Sequence, residues 1–247
     1  MYRLELDVGN SRTKWRLAEL GLCGNFPSAA LCGGEPLPPQ WGQLSIESIW
    51  LGSVMADDAT EAAIAHLQKV FTCDVYRAYS SPAAGGVING YADANRLGVD
   101  RWLALLAARQ VAPGDLVVVD AGTAITLDLV RADGKHLGGY ILPGVTRQAQ
   151  SLWGGTGRVQ VEAQVLKPRL APGQDTQACV EAAITAAIAG LCGRGERLLP
   201  GANWCLTGGD FSWLEAICTE RGLPFSHQPD LVLDGLAHAH KRPYLAS

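Results

Sequence analysis

A short pattern that occurs twice constrains the fold of this chain more than any other feature. Residues 4–15, LELDVGNSRTKW, align with residues 117–128, VVVDAGTAITLD. Each copy has a β-rich run, an Asp-x-Gly turn followed by small or polar residues, and a second β-rich run. Glycine permits the tight turn between the two runs. Because the copies lie almost half a chain apart, the pattern indicates a duplicated domain.

The remaining segments predict two α/β halves, each with a mixed sheet covered by helices. The further elements expected are strands at 48–51, 74–78 and 204–206 and helices at 59–71, 96–110, 177–191 and 231–240. Asp58 and Ser212, each with a glutamate three residues later, are predicted to cap helices. Pro113-Gly114 breaks the chain. We therefore expect domains at 1–114 and 115–247, with the last helix able to pack back on the first domain.

Composition excludes several function classes. The net charge of the 247 residues is −4 and no basic run occurs, so no nucleic-acid partner is expected. No signal peptide and no uninterrupted apolar span is apparent, so the sequence predicts a cytoplasmic protein without membrane contact. The seven cysteines form no C-x-x-C pair, which favours buried free thiols over a zinc site or disulfides. No role is predicted for the glycine-rich residues 151–157.

The first hairpin carries the groups that bind a triphosphate. Asp7 offers a carboxylate for Mg²⁺, since hard cations prefer oxygen ligands. Gly9 lets a phosphate approach the main chain, and donors follow it at Asn10, Ser11, Thr13 and Lys14. A single Asp-x-Gly turn is better explained as the closure of a surface hairpin than as part of a nucleotide site. Two copies at domain spacing favour nucleotide binding.

The second hairpin repeats this chemistry with Asp120, Gly122, Thr123 and Thr126. A carboxylate about 4 Å from one phosphate charge costs roughly 4 kcal/mol at an effective dielectric constant near 20. Cations must therefore lie between the two acids and the nucleotide if both turns face one triphosphate.

A third glycine-rich element follows the strand expected at 204–206. Its residues Thr207, Gly208, Gly209 and Asp210 would let an adenosine lie against backbone. Taken alone, they are better explained as an ordinary strand-to-helix turn. Neither a P-loop nor a dinucleotide-binding G-x-G-x-x-G motif occurs. The three elements together predict an ATP-dependent small-molecule kinase.

These elements resemble the superfamily of actin, sugar kinases and Hsp70, whose halves are duplicated ribonuclease-H-like folds. Four segments in order resemble type III pantothenate kinases more closely: residues 7–14 (DVGNSRTK), 97–101 (LGVDR), 120–126 (DAGTAIT) and 138–144 (GGYILPG). The resemblance extends over essentially the whole chain. It implies two actin-like domains and transfer of phosphate from ATP to the primary hydroxyl of pantothenate, the first step towards coenzyme A.

The resemblance also implies roles for individual residues. Asp100 corresponds to the general base, and Asp120 to a ligand of the monovalent cation, potassium or ammonium, that the family requires. The implied pantothenate-binding residues are Tyr91, Gly98, Val99, Asp100, Arg101 and Thr176. The implied ATP-binding residues are Asp7, Val8, Gly9, Asn10, Ser11, Arg12, Thr13, Lys14, Gly122, Thr123, Thr207, Gly208 and Gly209. Ala94 stands where the family pattern usually has proline. Family members are homodimers whose substrate pocket is completed near the subunit interface.

Two alternatives remain open at this stage. Another kinase of the superfamily would keep both Asp-x-Gly turns but would not need LGVDR beside a tyrosine. A non-enzymatic nucleotide-binding regulator would keep the ATP site but would have no reason to keep Asp100. If its motif is ignored, Asp100 is better explained as a helix N-terminal charge.

Overall fold

A computed structural model describes residues 2–33, 36–153 and 166–244, with only the backbone of Trp153. Residues 154–157 of the glycine-rich stretch lie outside the described residues. The strands are β1 (Tyr2–Val8), β2 (Arg12–Leu17), β3 (Leu22–Pro27), β4 (Ile46–Ser53), β5 (Asp74–Ala78), β6 (Ala83–Ala84), β7 (Val87–Ile88), β8 (Leu116–Ala121), β9 (Ala124–Val130), β10 (His136–Pro143), β11 (Asn203–Thr207), β12 (Phe225–His227) and β13 (Lys241–Pro243). The α-helices are α1 (Asp57–Phe71), α2 (Val99–Val111), α3 (Val145–Trp153), α4 (Thr176–Leu198), α5 (Phe211–Glu220) and α6 (Leu231–Gly235).

The chain forms two compact units. The first runs to Ala107 and includes the segment from Leu231 onwards, and the second is Ala108–Asp230. The boundary predicted after residue 114 stays a prediction.

The sheet of the first unit has the strand order β13-β5-β4-β1-β2-β3. β1 is parallel to β4 and antiparallel to β2, so the first Asp-x-Gly turn joins two central strands. Alternate β1 residues, including Leu4 and Leu6, are fully buried, and they share one core with Ile64 and Leu67 of α1. The apolar alternation therefore fixes which face of β1 carries Asp7.

The sheet of the second unit has the order β10-β9-β8-β11-β12. β8 and β9 form the second hairpin, and β11 lies parallel to β8 on its other side. Val117, Val119 and Leu127 pack with α4 and α5 in a second apolar core. Both units thus present a mixed sheet flanked by helices, as the sequence predicts.

Several predicted helix ends are wrong, and α4 ends at Leu198 rather than at 191. α1 begins at Asp57 with Ala56 as N-cap, so Asp58 lies inside its first turn, where its carboxylate accepts a hydrogen bond from the N–H of Ala59. α5 begins at Phe211, so Ser212 is inside that helix and Asp210 precedes it.

The other two ends are displaced by neighbouring structure. α2 begins at Val99 rather than 96, because residues 94–96 form a separate 3-10 turn capped by Asp93. α6 ends at Gly235 rather than 240, because the chain continues into β13, which pairs with β5.

The prediction of buried cysteines holds for three of the seven. Cys192, Cys205 and Cys218 are buried, Cys73 is half-buried, and three are exposed. The exposed ones are Cys23, Cys32 and Cys179. All seven are free thiols. Cys23 lies on the edge strand β3, and Cys179 in the first turn of α4, where an apolar neighbourhood in sequence does not imply burial.

Helix α4 is long and apolar enough to cross a membrane, with a mean hydropathy of 1.3 over 18 residues. A core helix passes the same test. Val180, Ile184, Ile188 and Cys192 of α4 all lie in the core of the second unit. Packing within the unit therefore accounts for its composition.

Candidate active site

The first Asp-x-Gly turn is a closed hairpin. The N–H of Gly9 donates to the carbonyl of Arg12 (3.1 Å), and Asn10 and Ser11 are exposed at the tip. Asp7 lies directly opposite Lys14 in the β1–β2 register. Since cross-strand partners share a face and lie about 5 Å apart at Cβ, the turn places one carboxylate and one ammonium on the same side of the sheet.

Val8 and Thr13 form the next cross-strand pair and face the core instead. Thr13 is fully buried, and its hydroxyl lies 3.0 Å from that of Ser28. Ser28 donates in turn to the carbonyl of Gly9 (2.7 Å), while its N–H donates to the carbonyl of Ser11 (3.1 Å). The turn is therefore braced from behind by a buried hydroxyl pair, and the hydroxyl of Thr13 belongs to this brace. The guanidinium of Arg12 binds the side-chain carbonyl of Asn25 on β3 (Nε, 2.8 Å).

Asp7 is linked to the start of α2 through β4. Its in-register neighbour on that strand is Gly52. A Cβ on Gly52 would lie 2.6 Å from Leu103 Cδ1 and 3.8 Å from Val99 Cγ1. The missing side chain at Gly52 lets the first turns of α2 lie directly on the sheet beside Asp7. Asp100, which follows Val99, is thereby brought to the same end of the first unit as the first Asp-x-Gly turn.

The predicted substrate residues Tyr91 and Arg101 contact each other. Arg101 is buried with 6 % of its surface exposed, and its Nη1 donates to the hydroxyl of Tyr91 over 2.9 Å. The guanidinium carbon also lies 5.7 Å from the centre of the Tyr91 ring, within the range of a cation–π contact. The contact with Tyr91 holds the guanidinium of Arg101, the residue that follows Asp100, in one position.

Asp100 occupies the first turn of α2. Its Oδ1 accepts a hydrogen bond from the N–H of Arg101 (2.7 Å). A Cβ on Gly98 would lie 2.7 Å from the same oxygen, so only glycine leaves this carboxylate its position. A helix N-terminus stabilises the negative charge. This interaction fits both a structural and a catalytic reading of Asp100.

In the second unit, Asp120 is flanked by two threonines. Thr126 of β9 and Thr207 of β11 are its in-register neighbours. Thr207 is buried and its hydroxyl reaches the carbonyl of Pro229 (3.4 Å), while Thr123 at the turn is exposed. The turn is closed by the N–H of Gly122 donating to the carbonyl of Ala124 (3.0 Å). These residues place a carboxylate between hydroxyl groups at the end of the sheet.

The Gly208 turn packs directly on the Asp120 turn. A Cβ on Gly208 would lie 2.2 Å from the carbonyl oxygen of Ala121 and 2.5 Å from Asp120 Oδ1. Gly208 also has a φ of +101°, which other residues avoid. The N–H of Asp210 donates to the carbonyl of Ala121 (2.9 Å). The structure thus brings the second Asp-x-Gly turn and the predicted adenosine motif together.

Gly209 faces open space, since a Cβ at this position would meet nothing within 4 Å. Burial raises the pKa of the Asp210 carboxyl. Beyond this turn, the rings of Phe211 and His227 stack with centroids 3.6 Å apart. Backbone that is accessible at Gly209 and an aromatic pair beside it suit a flat heterocycle.

Thr176 lies elsewhere in the second unit, as the first residue of α4 after the N-cap Asp175. It lines an open groove of about 540 Å³ together with Leu152 and Val180, and none of the residues of the second turn lines this groove.

Sequence reasoning missed two residues that organise this site. Ser28 braces the first turn from beyond β3, and no motif marks it, because the contact depends on how β2 and β3 pair. Asn89 is the second. Its side chain bonds three parts of the Tyr91 loop, and its place beside Gly90-Tyr91 was the available signal.

Comparisons with known proteins agree on the family. Residues 3–195 match the family model of type III pantothenate kinase. A type III pantothenate kinase of Pseudomonas aeruginosa (strain LESB58) is 38% identical over 247 residues, which cover 96% of this chain and 98% of the relative.

Solved structures show the same fold at lower identity. A Campylobacter jejuni protein described as a Baf family transcriptional activator superposes with a TM-score of 0.64 at 21% identity, over 95% of both chains. A Sinorhizobium meliloti protein described as a 2-dehydro-3-deoxygalactonokinase gives 0.56 at 15% identity, over 96% of this chain and 97% of the other. At these identities the likeness concerns the fold alone.

The family resemblance predicted from the four motifs is confirmed, and so is the fold class of two ribonuclease-H-like domains with mixed sheets and flanking helices. The relative aligns over nearly its whole length. The chain belongs to the type III pantothenate kinase family.

Proposed function

We propose that this protein transfers the terminal phosphoryl group of ATP to the primary hydroxyl of pantothenate, giving 4′-phosphopantothenate for coenzyme A synthesis. Membership in the family supports the reaction and the two substrates. One structural observation carries the proposal further: α2 lies on Gly52, the in-register neighbour of Asp7. The phosphate turn and Asp100 lie at the same end of one sheet, as a single transfer step requires.

In this proposal Asp100 accepts the proton of the pantothenate hydroxyl while that oxygen attacks the terminal phosphorus of ATP. Phosphoryl transfer needs little covalent help from the protein, because positioning and charge stabilisation dominate. A carboxylate oxygen can accept a hydrogen bond from the hydroxyl, and so orient it, before it takes the proton. The lack of a side chain at Gly98 keeps the carboxylate accessible.

Tyr91 and Arg101 bind pantothenate, with Gly98 and Val99 forming the adjacent wall. Pantothenate carries a carboxylate, and a guanidinium binds such a group through paired N–H donors. Because Arg101 is buried and bonded to the Tyr91 hydroxyl, its charge is held in one position. Thr176, which lines the groove at the start of α4, is proposed as a further substrate contact.

The residues proposed to bind ATP belong to both Asp-x-Gly turns. From the first unit, the backbone of Gly9 and the side chains of Asn10, Ser11 and Lys14 face the phosphates, with Val8, Arg12 and Thr13 supporting the turn. From the second unit, Gly122 and Thr123 contribute the turn, and Thr207, Gly208 and Gly209 the adenosine site. Phe211, whose ring stacks on that of His227, follows the open Gly209 by two positions in the chain, which supports a base-binding role for this turn.

Asp7 would hold Mg²⁺, and Asp120 a monovalent cation, potassium or ammonium. Asp7 fits a Mg²⁺ ligand because this residue carries a carboxylate and is half-buried near the end of β1. Mg²⁺ is commonly held by one or two carboxylates together with the substrate phosphates. The fit at Asp120 rests on the oxygen atoms near its carboxylate, because its in-register neighbours are Thr126 and Thr207 and the carbonyl of Ala121 lies close by. When bound, the cations neutralise the phosphate charge that both carboxylates would otherwise repel.

The test is ADP formation from ATP with and without pantothenate, first in potassium and then in sodium. We expect pantothenate-dependent turnover that falls when sodium replaces potassium. Asp100→Asn should lower kcat about 10²- to 10⁴-fold, the scale of a positioned acid–base group. ATP binding without turnover in either salt would point to a nucleotide-binding regulator, and turnover only with another acceptor would point to another kinase of the superfamily.

A homodimer in the cytoplasm completes the proposal. It rests on the family resemblance, and sedimentation equilibrium of the purified protein would test the oligomeric state. A monomer at micromolar concentration with full activity would contradict a substrate pocket that needs a second subunit.

A further inference from the structure

In the loop that carries Tyr91, one side chain bonds several separate parts of the backbone. The loop leaves the sheet after β5 and returns at α2, and its tip is the β6–β7 hairpin with Gly85 and Gly86 at positive φ. At its base, the hydroxyl of Ser80 donates to the carbonyl of Leu97 (2.7 Å). Between tip and base, the hydrogen bonds of the loop converge on Asn89.

Asn89 uses both polar atoms of its amide. Its Nδ2 donates to the carbonyls of Ser81 and Ala94, each at 3.2 Å. Its Oδ1 accepts a hydrogen bond from the N–H of Tyr91 (3.0 Å). Its own N–H donates to the carbonyl of Pro82 (2.9 Å). The two limbs of the loop and the backbone of Tyr91 are therefore tied to one half-buried residue.

An amide is the group that this arrangement requires. Two donors must face two carbonyl oxygens while one acceptor faces an N–H, and among the side chains only asparagine and glutamine offer both functions on one planar group. An aspartate has the same size and keeps an acceptor for the N–H of Tyr91. It would turn a second oxygen towards the carbonyls of Ser81 and Ala94 and lose both bonds.

The effect of Asn89 extends through Tyr91 to the guanidinium of Arg101. Fixing the backbone at Tyr91 fixes where its hydroxyl lies, and that hydroxyl accepts the hydrogen bond from Arg101 Nη1. Ordering the loop before substrate arrives removes part of the entropic cost of binding. We propose that Asn89 is a positioning residue for pantothenate binding, which sets Tyr91 and, through its hydroxyl, Arg101.

This inference rests on the proposed function, so the test begins with steady-state kinetics. Asn89→Ala and Asn89→Asp should each raise the KM for pantothenate about tenfold, equivalent to about 1.4 kcal/mol, and should change the KM for ATP much less. The matched control is Asn95→Ala, which removes an exposed amide of the same loop whose Nδ2 donates to nearby Asp93 (3.2 Å). It should leave both constants near wild type.

A double-mutant cycle separates positioning from general destabilisation. In a Tyr91→Phe background the hydroxyl that Asn89 sets is absent, so Asn89→Ala should raise the KM for pantothenate less than roughly twofold further if the two residues act as one unit. An equal factor in both backgrounds would overturn the proposal. So would a wild-type KM in Asn89→Asp, since that variant keeps the size of the side chain and loses only the two donors.

Hydrogen exchange gives a readout that needs no turnover. The amide of Tyr91 should exchange faster in Asn89→Ala than in wild type, with the amides of β1 unchanged; equal protection of Tyr91 in both proteins would contradict the tie. A wild-type enzyme without pantothenate-dependent turnover would remove the proposed function and this role with it. Normal turnover by the wild type, together with a wild-type KM for pantothenate in the Asn89 variants, would contradict the role of Asn89 alone.

Discussion

The contact between Gly208 and the Asp120 turn leads to a sharp prediction for Gly208→Ala. The added Cβ would lie 2.2 Å from the carbonyl oxygen of Ala121, 2.5 Å from its carbonyl carbon and 2.5 Å from Asp120 Oδ1. Two of these are backbone atoms and cannot rotate away. Alanine would also have to adopt a φ of +101°.

The magnitude follows from these two effects. A non-glycine residue held at such a φ costs about 1–3 kcal/mol, and overpacking costs about 1–3 kcal/mol more. The free energy of unfolding should therefore fall by at least about 2 kcal/mol, which corresponds to a fall in Tm of about 4–8 °C for a protein of this size. Because Asp120 must also move, the KM for ATP and the response to potassium should change.

Urea unfolding and ATP kinetics of the purified variant check both parts. Gly209→Ala is the matched control, because its Cβ meets nothing within 4 Å and its φ is not positive. Alanine there should be neutral or stabilising by up to about 1 kcal/mol. Equal unfolding midpoints for the two variants would refute the packing argument.

Two further predictions concern the braces of the turns. Ser28→Ala removes the donor to Gly9 and the partner of the buried Thr13 hydroxyl, so it should cost about 1–3 kcal/mol of unfolding free energy and raise the KM for ATP; a stability equal to wild type in urea would count against the brace. For Asp210, burial raises the carboxyl pKa, so its stabilising contribution is complete below the unfolded pKa and is lost as the pH rises through the folded pKa. Asp210→Asn should therefore raise Tm at pH 7, and the difference in Tm from wild type should vanish below about pH 4. Melting curves of the nucleotide-free proteins across this pH range check the prediction. A difference in Tm that does not change with pH would contradict it.

Much of the fold could be predicted because it depends on local patterns. The two Asp-x-Gly hairpins and the buried helix α4 follow from alternation and composition over short windows. The two-residue strands β6 and β7 and the edge strands β12 and β13 are too short to show a period. The early end of α6 could not be predicted either, because it depends on the pairing of β13 with β5.

The residues of the candidate site also fall into those that a sequence motif reveals and those that only tertiary contacts reveal. Asp7, Asp100 and Asp120 lie in motifs that a resemblance can find. Ser28 reaches the first turn only because β3 pairs with β2 and returns the chain to Ser11, a contact that no short sequence window contains. The closeness of α2 to the sheet depends on the absence of a side chain at Gly52, which the sequence shows as one glycine among 29.

The most direct test of the central claim follows the phosphate itself. Wild-type protein and Asp100→Asn are incubated with pantothenate, Mg²⁺, potassium and ATP labelled with ³²P at the terminal phosphate, and the labelled products are separated and identified. The account predicts that wild type yields labelled 4′-phosphopantothenate and that Asp100→Asn, although it still binds ATP, yields about 10²- to 10⁴-fold less per unit time. Labelled inorganic phosphate as the sole product of the wild type, or equal transfer by both proteins, would contradict it.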